Sequence, residues 1–221
     1  MKLPDNAFYK KTLDEDQKVF FDAIKNPEKT IIFCNAAAGT GKTTIAMGAA
    51  NILVNDKRYD YDGIVYIVSP YGEGKQGYLP GDITAKSEVY YEPAYQAMIE
   101  VEMNPFSDVT NKAITEKRKP NDGTVKMLTH TYLRGTNFQK QVVIIDEAQN
   151  YTVDELKKVL TRIHDSCKVI VIGHTGQIDI KGNSGFAKYL AWFDGQEQCA
   201  VCQLTKNYRG WLSTYADELE G

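Results

Sequence analysis

The sequence predicts a three-layer α/β fold, with a mostly parallel sheet covered by helices on both faces. Two observations lead there. Short runs of β-branched and apolar residues, too continuous for a half-exposed strand, alternate with stretches whose apolar residues recur at helical spacing. One of those runs, IIFC at 31–34, passes through a glycine-containing loop directly into such a stretch. The bulk numbers fit one unit of this kind: 221 residues, 43% hydrophobic and 25% charged. We expect a single domain over 1–221, with a variable excursion around 71–123.

The elements follow in chain order. Residues 13–24 read as a first helix through Leu13, Gln17, Phe20, Phe21 and Ile24, stopped by Asn26-Pro27. Residues 31–34 are a buried strand, 42–54 a helix with Ile45, Ala49, Ile52 and Leu53 on its apolar face, and 63–68 a second strand. The stretch 71–79 holds three glycines and reads as an exposed loop. Residues 85–103 read as a helix broken at Pro93, 109–117 as a short helix, and 124–129 as a short strand. Strands at 142–145 and 169–172, helices at 153–163 and 184–193, a last strand at 200–204 and a helix at 211–219 complete the pattern. In Cys199-x-x-Cys202 the strand-like CAVCQL context favours packing over a metal or redox site, because no second cysteine pair or nearby histidine completes a ligand set.

Composition narrows the classes of function. No run of eighteen apolar residues exists, and the opening MKLPDNAFYKKTLDED has no apolar core, so a cytoplasmic protein with no membrane partner is expected. A net charge of −3 argues against bulk electrostatic capture of nucleic acid, though not against a local groove. The basic run Lys112, Lys117, Arg118 and Lys119 reads as a solvated face.

The chemistry starts in AAAGTGKTT, Ala36, Ala37, Ala38, Gly39, Thr40, Gly41, Lys42, Thr43 and Thr44, between a strand and a helix. That order is what a phosphate-binding loop requires. The glycines let several N–H groups converge on one anion, and the helix turns its positive end towards it. Lys42 supplies a mobile positive charge for the outer phosphates, and Thr43 a hydroxyl for Mg²⁺. Ala36 stands where the pattern usually has its first glycine; the loop still closes if φ there is negative. In VVIIDEAQN, four apolar residues deliver Asp146 to the carboxyl end of a strand, within reach of the same Mg²⁺. Glu147 is then placed to orient and deprotonate a water, which favours triphosphate hydrolysis over transfer to a small-molecule acceptor. Gln177, after the strand in VIVIGHTGQ, is a candidate to sense the γ-phosphate or the attacking water. Arg209 in LTKNYRG is a candidate clamp for charge on the γ-phosphate, acting in its own chain or a neighbour's; a surface arginine or helix cap is the plainer alternative. The Gln17 amide offers one donor and one acceptor, a weak match to an adenine edge.

These segments, together with SPYGEGKQGYLPGD, YLRGTNFQKQVVIIDEAQN, LTRI and GHTGQIDI, resemble the PhoH-like proteins, P-loop ATPases related to superfamily 1 helicases. GYLPGD and YLRG carry the more particular part of the likeness. The resemblance implies a single RecA-like core that hydrolyses ATP with Mg²⁺, with strand order near 5-1-4-3-2 and a short sixth piece near Val125 at the far edge. It implies that Gln17 reads adenine, that Ser69-Pro70 touches nucleic acid, and that Gln177 and Arg209 sense the γ-phosphate. Arg134 matches an arginine characteristic of the family. Three positions depart from the family's pattern: Ala36, His174 in place of an aspartate, and Gly176 before Gln177. The short chain would suit a phage or plasmid member.

Two readings of function stay open. In one, ATP hydrolysis is coupled to single-stranded RNA or DNA, with nearby basic residues such as Lys75 assisting. In the other, the chain is a nucleotide-dependent regulatory protein acting through the 71–79 loop. One core leaves the γ-phosphate side of its site open, so a homo-oligomer, as a hexameric ring, is expected to close it.

Overall fold

The computed structural model describes residues 6–70, 88–111, 123–133, 135–176 and 184–217. A small antiparallel hairpin, β1 (Ala7–Phe8) and β2 (Lys11–Thr12), leads into α1 (Glu15–Lys25), β3 (Ile31–Ala36), α2 (Lys42–Asn55) and β4 (Gly63–Val68). Next come α3 (Glu92–Glu100), the single-turn α4 (Pro105–Asp108) and β5 (Val125–Thr129). The chain continues through β6 (Gln141–Asp146), α5 (Val153–Leu160), β7 (Lys168–Gly173), α6 (Gly185–Phe193), β8 (Cys199–Leu204) and α7 (Trp211–Asp217).

Six strands form one sheet in the order β5-β4-β6-β7-β3-β8, and every neighbouring pair is parallel. Parallel neighbours need long crossovers, which the helices supply. Successive side chains of a strand point to opposite faces. Ile32, Cys34, Tyr66, Ile144 and Ile172 therefore share one core layer with Phe20, Ile45 and Met98 of α1, α2 and α3. Phe33, Val65, Ile145 and Val171 share the other with Leu156 and Phe186 of α5 and α6. Burial on both faces is why these strands read as unbroken apolar runs. Because all six strands run the same way, the loops after β3, β6, β7 and β8 gather at one edge of the sheet.

Helix α2 packs closely beneath the N-terminal hairpin, and Gly48 sets the distance. A Cβ there would stand 2.4 Å from Phe8 Cζ, 2.8 Å from Tyr9 Cε2 and 2.9 Å from Val101 Cγ1. The Tyr9 hydroxyl also donates to the Gly48 carbonyl at 3.1 Å. Gly48→Ala is expected to destabilise the fold: overpacking costs about 1–3 kcal/mol, against a helix-propensity gain of about 1 kcal/mol at most. A lower midpoint in urea or thermal unfolding checks this; an unchanged or higher midpoint would mean that the hairpin yields freely.

Three sequence expectations need correction. Pro93 does not break a helix: it stands in the first turn of α3, where its missing N–H costs nothing. Residues 109–111 are not helical, since Val109 bridges Val125 beside β5, and the helix in this region is the earlier turn begun by Pro105 and capped by Asn104. Helix α5 stops at Leu160, and Ile163 instead bridges Phe138. Cys199 and Cys202, three apart on β8, fall in opposite core layers and cannot share a ligand or a disulfide without breaking the strand. Among the described residues, no helix is long and apolar enough to cross a membrane.

Candidate active site

The loop between β3 and α2 is built on two left-handed glycines, Gly39 (φ 76°) and Gly41 (φ 82°). Ala36 is the last residue of β3, 2% exposed and outside the left-handed region, so alanine serves where the pattern usually has glycine. The Thr40 hydroxyl closes the turn onto the Ala37 carbonyl at 3.0 Å. No side chain caps α2 and its first turn carries no acidic residue. Its leading N–H groups thus face the loop's concavity with a positive helix end behind them, an arrangement that favours an anion.

Gln17 lies directly under this loop and is 8% exposed. Its Nε2 donates to the Thr40 carbonyl at 2.9 Å, and its Oε1 accepts from the Asp14 N–H at 3.2 Å as half of the capping box of α1. The amide is therefore engaged with the protein's own backbone at both ends.

Asp146 ends β6 with no exposed surface. Its Oδ2 accepts from the Thr43 hydroxyl at 2.9 Å and from the Tyr66 hydroxyl at 2.7 Å, while its Oδ1 accepts from the Glu147 N–H at 2.7 Å. Full burial and the adjacent Asp146 charge push the Tyr66 phenol well above its ordinary value, which keeps it a donor. Glu147 turns out of the strand in the left-handed region (φ 49°). Its Oε1 stands 3.9 Å from Lys42 Nζ, and its Oε2 accepts from Gln149 Nε2 at 2.6 Å. Gln149, 3% exposed, passes the connection on: its Oε1 accepts from the His174 N–H at 3.1 Å, just past β7. Gly173 is needed there, because a Cβ would lie 2.9 Å from that oxygen. Asn35 of β3 holds the same turn, with its Oδ1 accepting from the Thr175 N–H at 3.0 Å and its Nδ2 donating to the Thr175 hydroxyl at 3.1 Å.

The loop after β8 folds back over the glycines. The Tyr208 N–H donates to the Gly39 carbonyl at 2.8 Å, and the Tyr208 hydroxyl donates to Asp14 Oδ2 at 2.6 Å. Asn207 Oδ1 and Arg209 Cγ would lie 2.5 and 2.8 Å from a Cβ on Gly39, so Arg209 lies against the loop of its own chain. Ser69, at the end of β4, shares this edge of the sheet and is 7% exposed.

The structure thus gathers Gln17, the 36–44 loop, Asp146, Glu147 and Arg209 at one edge. Gln177, Arg134, Lys75, the 71–79 loop and the basic run at 112–119 lie outside the described residues. Sequence reasoning missed Tyr66, Gln149 and Asn35. Each had a faint signal, a polar group inside or beside an apolar run, but nothing in the chain's order said what it would touch. A groove of about 680 Å³ lies at the other, amino-terminal edge of the strands, around Thr30, Ile31, Val169, Phe193 and Cys199, and includes none of the predicted residues.

The family model described as PhoH-like protein matches residues 10–209. The chain is 32% identical over 198 residues to the Protein PhoH of Escherichia coli (strain K12), covering 87% of this chain and 52% of that one. It is 33% identical over 197 residues to a PhoH-like protein of Mycobacterium tuberculosis (strain ATCC 25618 / H37Rv), with 88% and 52% covered. It therefore spans about half the length of these curated relatives. Among solved structures, the HK97 bacteriophage large terminase superposes with a TM-score of 0.55 at 14% identity, over 93% of this chain and 42% of that one. The UvsW helicase from bacteriophage T4 gives 0.52 at 14% identity, over 88% and 62%. Those two likenesses concern the fold alone. The match that runs from the N-terminal hairpin to Arg209, through the glycine loop and the DEAQN turn, places this chain in the PhoH-like protein family.

Proposed function

We propose that the chain binds ATP with Mg²⁺ and hydrolyses it. One observation carries this reading: the uncapped first turn of α2 stands beside Lys42, and in the same place the Thr43 hydroxyl meets buried Asp146 at 2.9 Å with Glu147 next in line. The donors suit a hard cation, because Thr43 and Asp146 offer oxygens only. When bound there, Mg²⁺ supplies charge neutralisation on the outer phosphates. The protein's own groups do the rest. The loop N–H groups and Lys42 hold the phosphates. Glu147, steadied by Gln149, orients a water in line with the γ-phosphorus and takes its proton as the new P–O bond forms and the bond to ADP breaks. Arg209 acts from its own chain on the growing charge, a role its packing on Gly39 supports. Gln17 shapes the loop through Thr40 and keeps one N–H for a base edge. Gln177 is assigned the γ-phosphate sensor on its sequence position.

The family likeness further suggests coupling to single-stranded RNA or DNA, received at the Ser69 edge, and a ring of copies as the working unit. Phosphate release from ATP, measured with and without Mg²⁺ and with and without a single strand at low salt, tests the proposal. Mg²⁺-dependent release, raised by the strand, is expected. No release under any condition would overturn the hydrolase reading. Release indifferent to every strand would favour the regulatory one.

A further inference from the structure

Helix α3 brings an anionic group to the mouth of this anion-binding loop. Glu100, its last residue, accepts at Oε2 from the Thr44 hydroxyl at 2.7 Å and from Lys11 Nζ at 2.7 Å. Oε1 has no hydrogen-bond partner among the described residues. The carboxylate and the ammonium are each about half exposed, at 44% and 50%. Burial pulls the Glu100 carboxyl upward, but the hydrogen bonds from Lys11 and Thr44 outweigh it and hold the group below its ordinary value. Glu100 is thus ionised at neutral pH and only accepts.

A carboxylate beside a phosphate loop is unfavourable for phosphate, so its position needs a different reason. The two sides of the first turn of α2 are distinct. Thr43 points to Asp146 and Glu147, the γ-phosphate side of the proposed mechanism. Thr44, roughly 100° further round the helix, points away from them to Lys11 and Glu100. That is the side on which the α-phosphate and sugar must leave the loop. A ribose presents two neighbouring hydroxyl donors, and Oε1, with two lone pairs and no donor of its own among the described residues, can accept from both, as acidic residues do in dinucleotide-binding folds. Lys11 offsets the carboxylate's repulsion of the nearby phosphate.

We infer that Glu100, held by Thr44 and Lys11, recognises the ribose hydroxyls of the bound nucleotide and makes the site prefer ribonucleoside over deoxyribonucleoside triphosphates. The inference rests on the ATP-binding reading of the loop. It adds a specificity role for a residue outside every motif in the sequence.

The test compares ATP, 2′-deoxyATP and 2′,3′-dideoxyATP on the full chain and on Glu100→Ala, by kcat/KM and by equilibrium binding. Both hydroxyls share one oxygen of a half-exposed carboxylate, so the net gain is that of about one hydrogen bond to a charged acceptor: the wild type should prefer ATP over the dideoxy form by roughly 10- to 100-fold, with 2′-deoxyATP between them. In Glu100→Ala the preference should fall to within about 2-fold, through a loss on ATP, a smaller loss on 2′-deoxyATP and none on the dideoxy form. Ratios taken within one preparation do not depend on the fraction folded. Equal handling of all three nucleotides by the wild type would overturn the proposal while leaving the ATP reading intact. So would an equal loss on all three in Glu100→Ala, which would make Glu100 a brace between α3 and the hairpin. Failure of the wild type to bind any of the three would refute the ATP reading, and this inference with it.

Discussion

Glu147→Gln is expected to leave ATP bound and to cut its hydrolysis by about 10²–10⁴-fold. The substitution keeps the side chain's size and an oxygen able to accept from Gln149, so the local geometry survives. It removes the one capacity the mechanism asks of this residue, which is to take a proton from water as the nucleophile attacks. Tyr66, Thr43 and the Glu147 N–H all hold the neighbouring Asp146 and not the Glu147 carboxylate, so the cation ligands should stay in place. Steady-state phosphate release beside an equilibrium binding measurement separates the two effects. A variant turning over at the wild-type rate would remove Glu147 as the base.

Lys42→Ala should act earlier, on binding. The lysine opens α2, its side chain is only 12% exposed, and its Nζ lies 3.9 Å from Glu147 Oε1. Each charge-assisted hydrogen bond lost to a phosphate costs about 1.5–3 kcal/mol, so two of them lower the affinity by roughly 10²–10⁴-fold. The fold should not suffer, because alanine is the better helix former and no buried partner is stranded. Calorimetric titration with ATP, alongside a thermal melt, measures both. An intact variant that binds ATP normally would sink the phosphate-loop assignment.

Much of the fold was legible because burial on both faces makes each core strand an unbroken apolar run, and such runs are bounded by the polar loops that follow. Gly63–Val68 was read in full, and β3, β6, β7 and β8 differ from expectation by one or two terminal residues. What failed were positions where local period and tertiary pairing disagree. Ile163 has helical spacing from Val159, yet it pairs with Phe138. Proline reads alike whether it ends a helix or begins one, and both Pro93 and Pro105 begin one. The glycine loop and the DEAQN turn are contiguous, so their residues announced themselves. Tyr66 meets Asp146 across eighty residues of chain, and Glu100 meets Thr44 across fifty-six, through neighbours that only strand order and helix packing create. Gln149 sat in plain view inside a recognised segment, but its link to the turn after β7 depends on β6 and β7 lying side by side.

The facing pair of Lys42 and Glu147 has a thermodynamic corollary. The Lys42 ammonium and the Glu147 carboxylate lie 3.9 Å apart. On the proposed ATP-binding reading, Glu147 and the incoming phosphates compete for the same ammonium. On the same reading, the Glu147 charge would face the γ-phosphate and oppose its binding. Neutralising Glu147 abolishes both the rivalry and the repulsion. The hydrolysis-deficient Glu147→Gln chain should accordingly hold ATP more tightly than the wild type and release it more slowly, becoming a nucleotide trap that captures the loaded state for study.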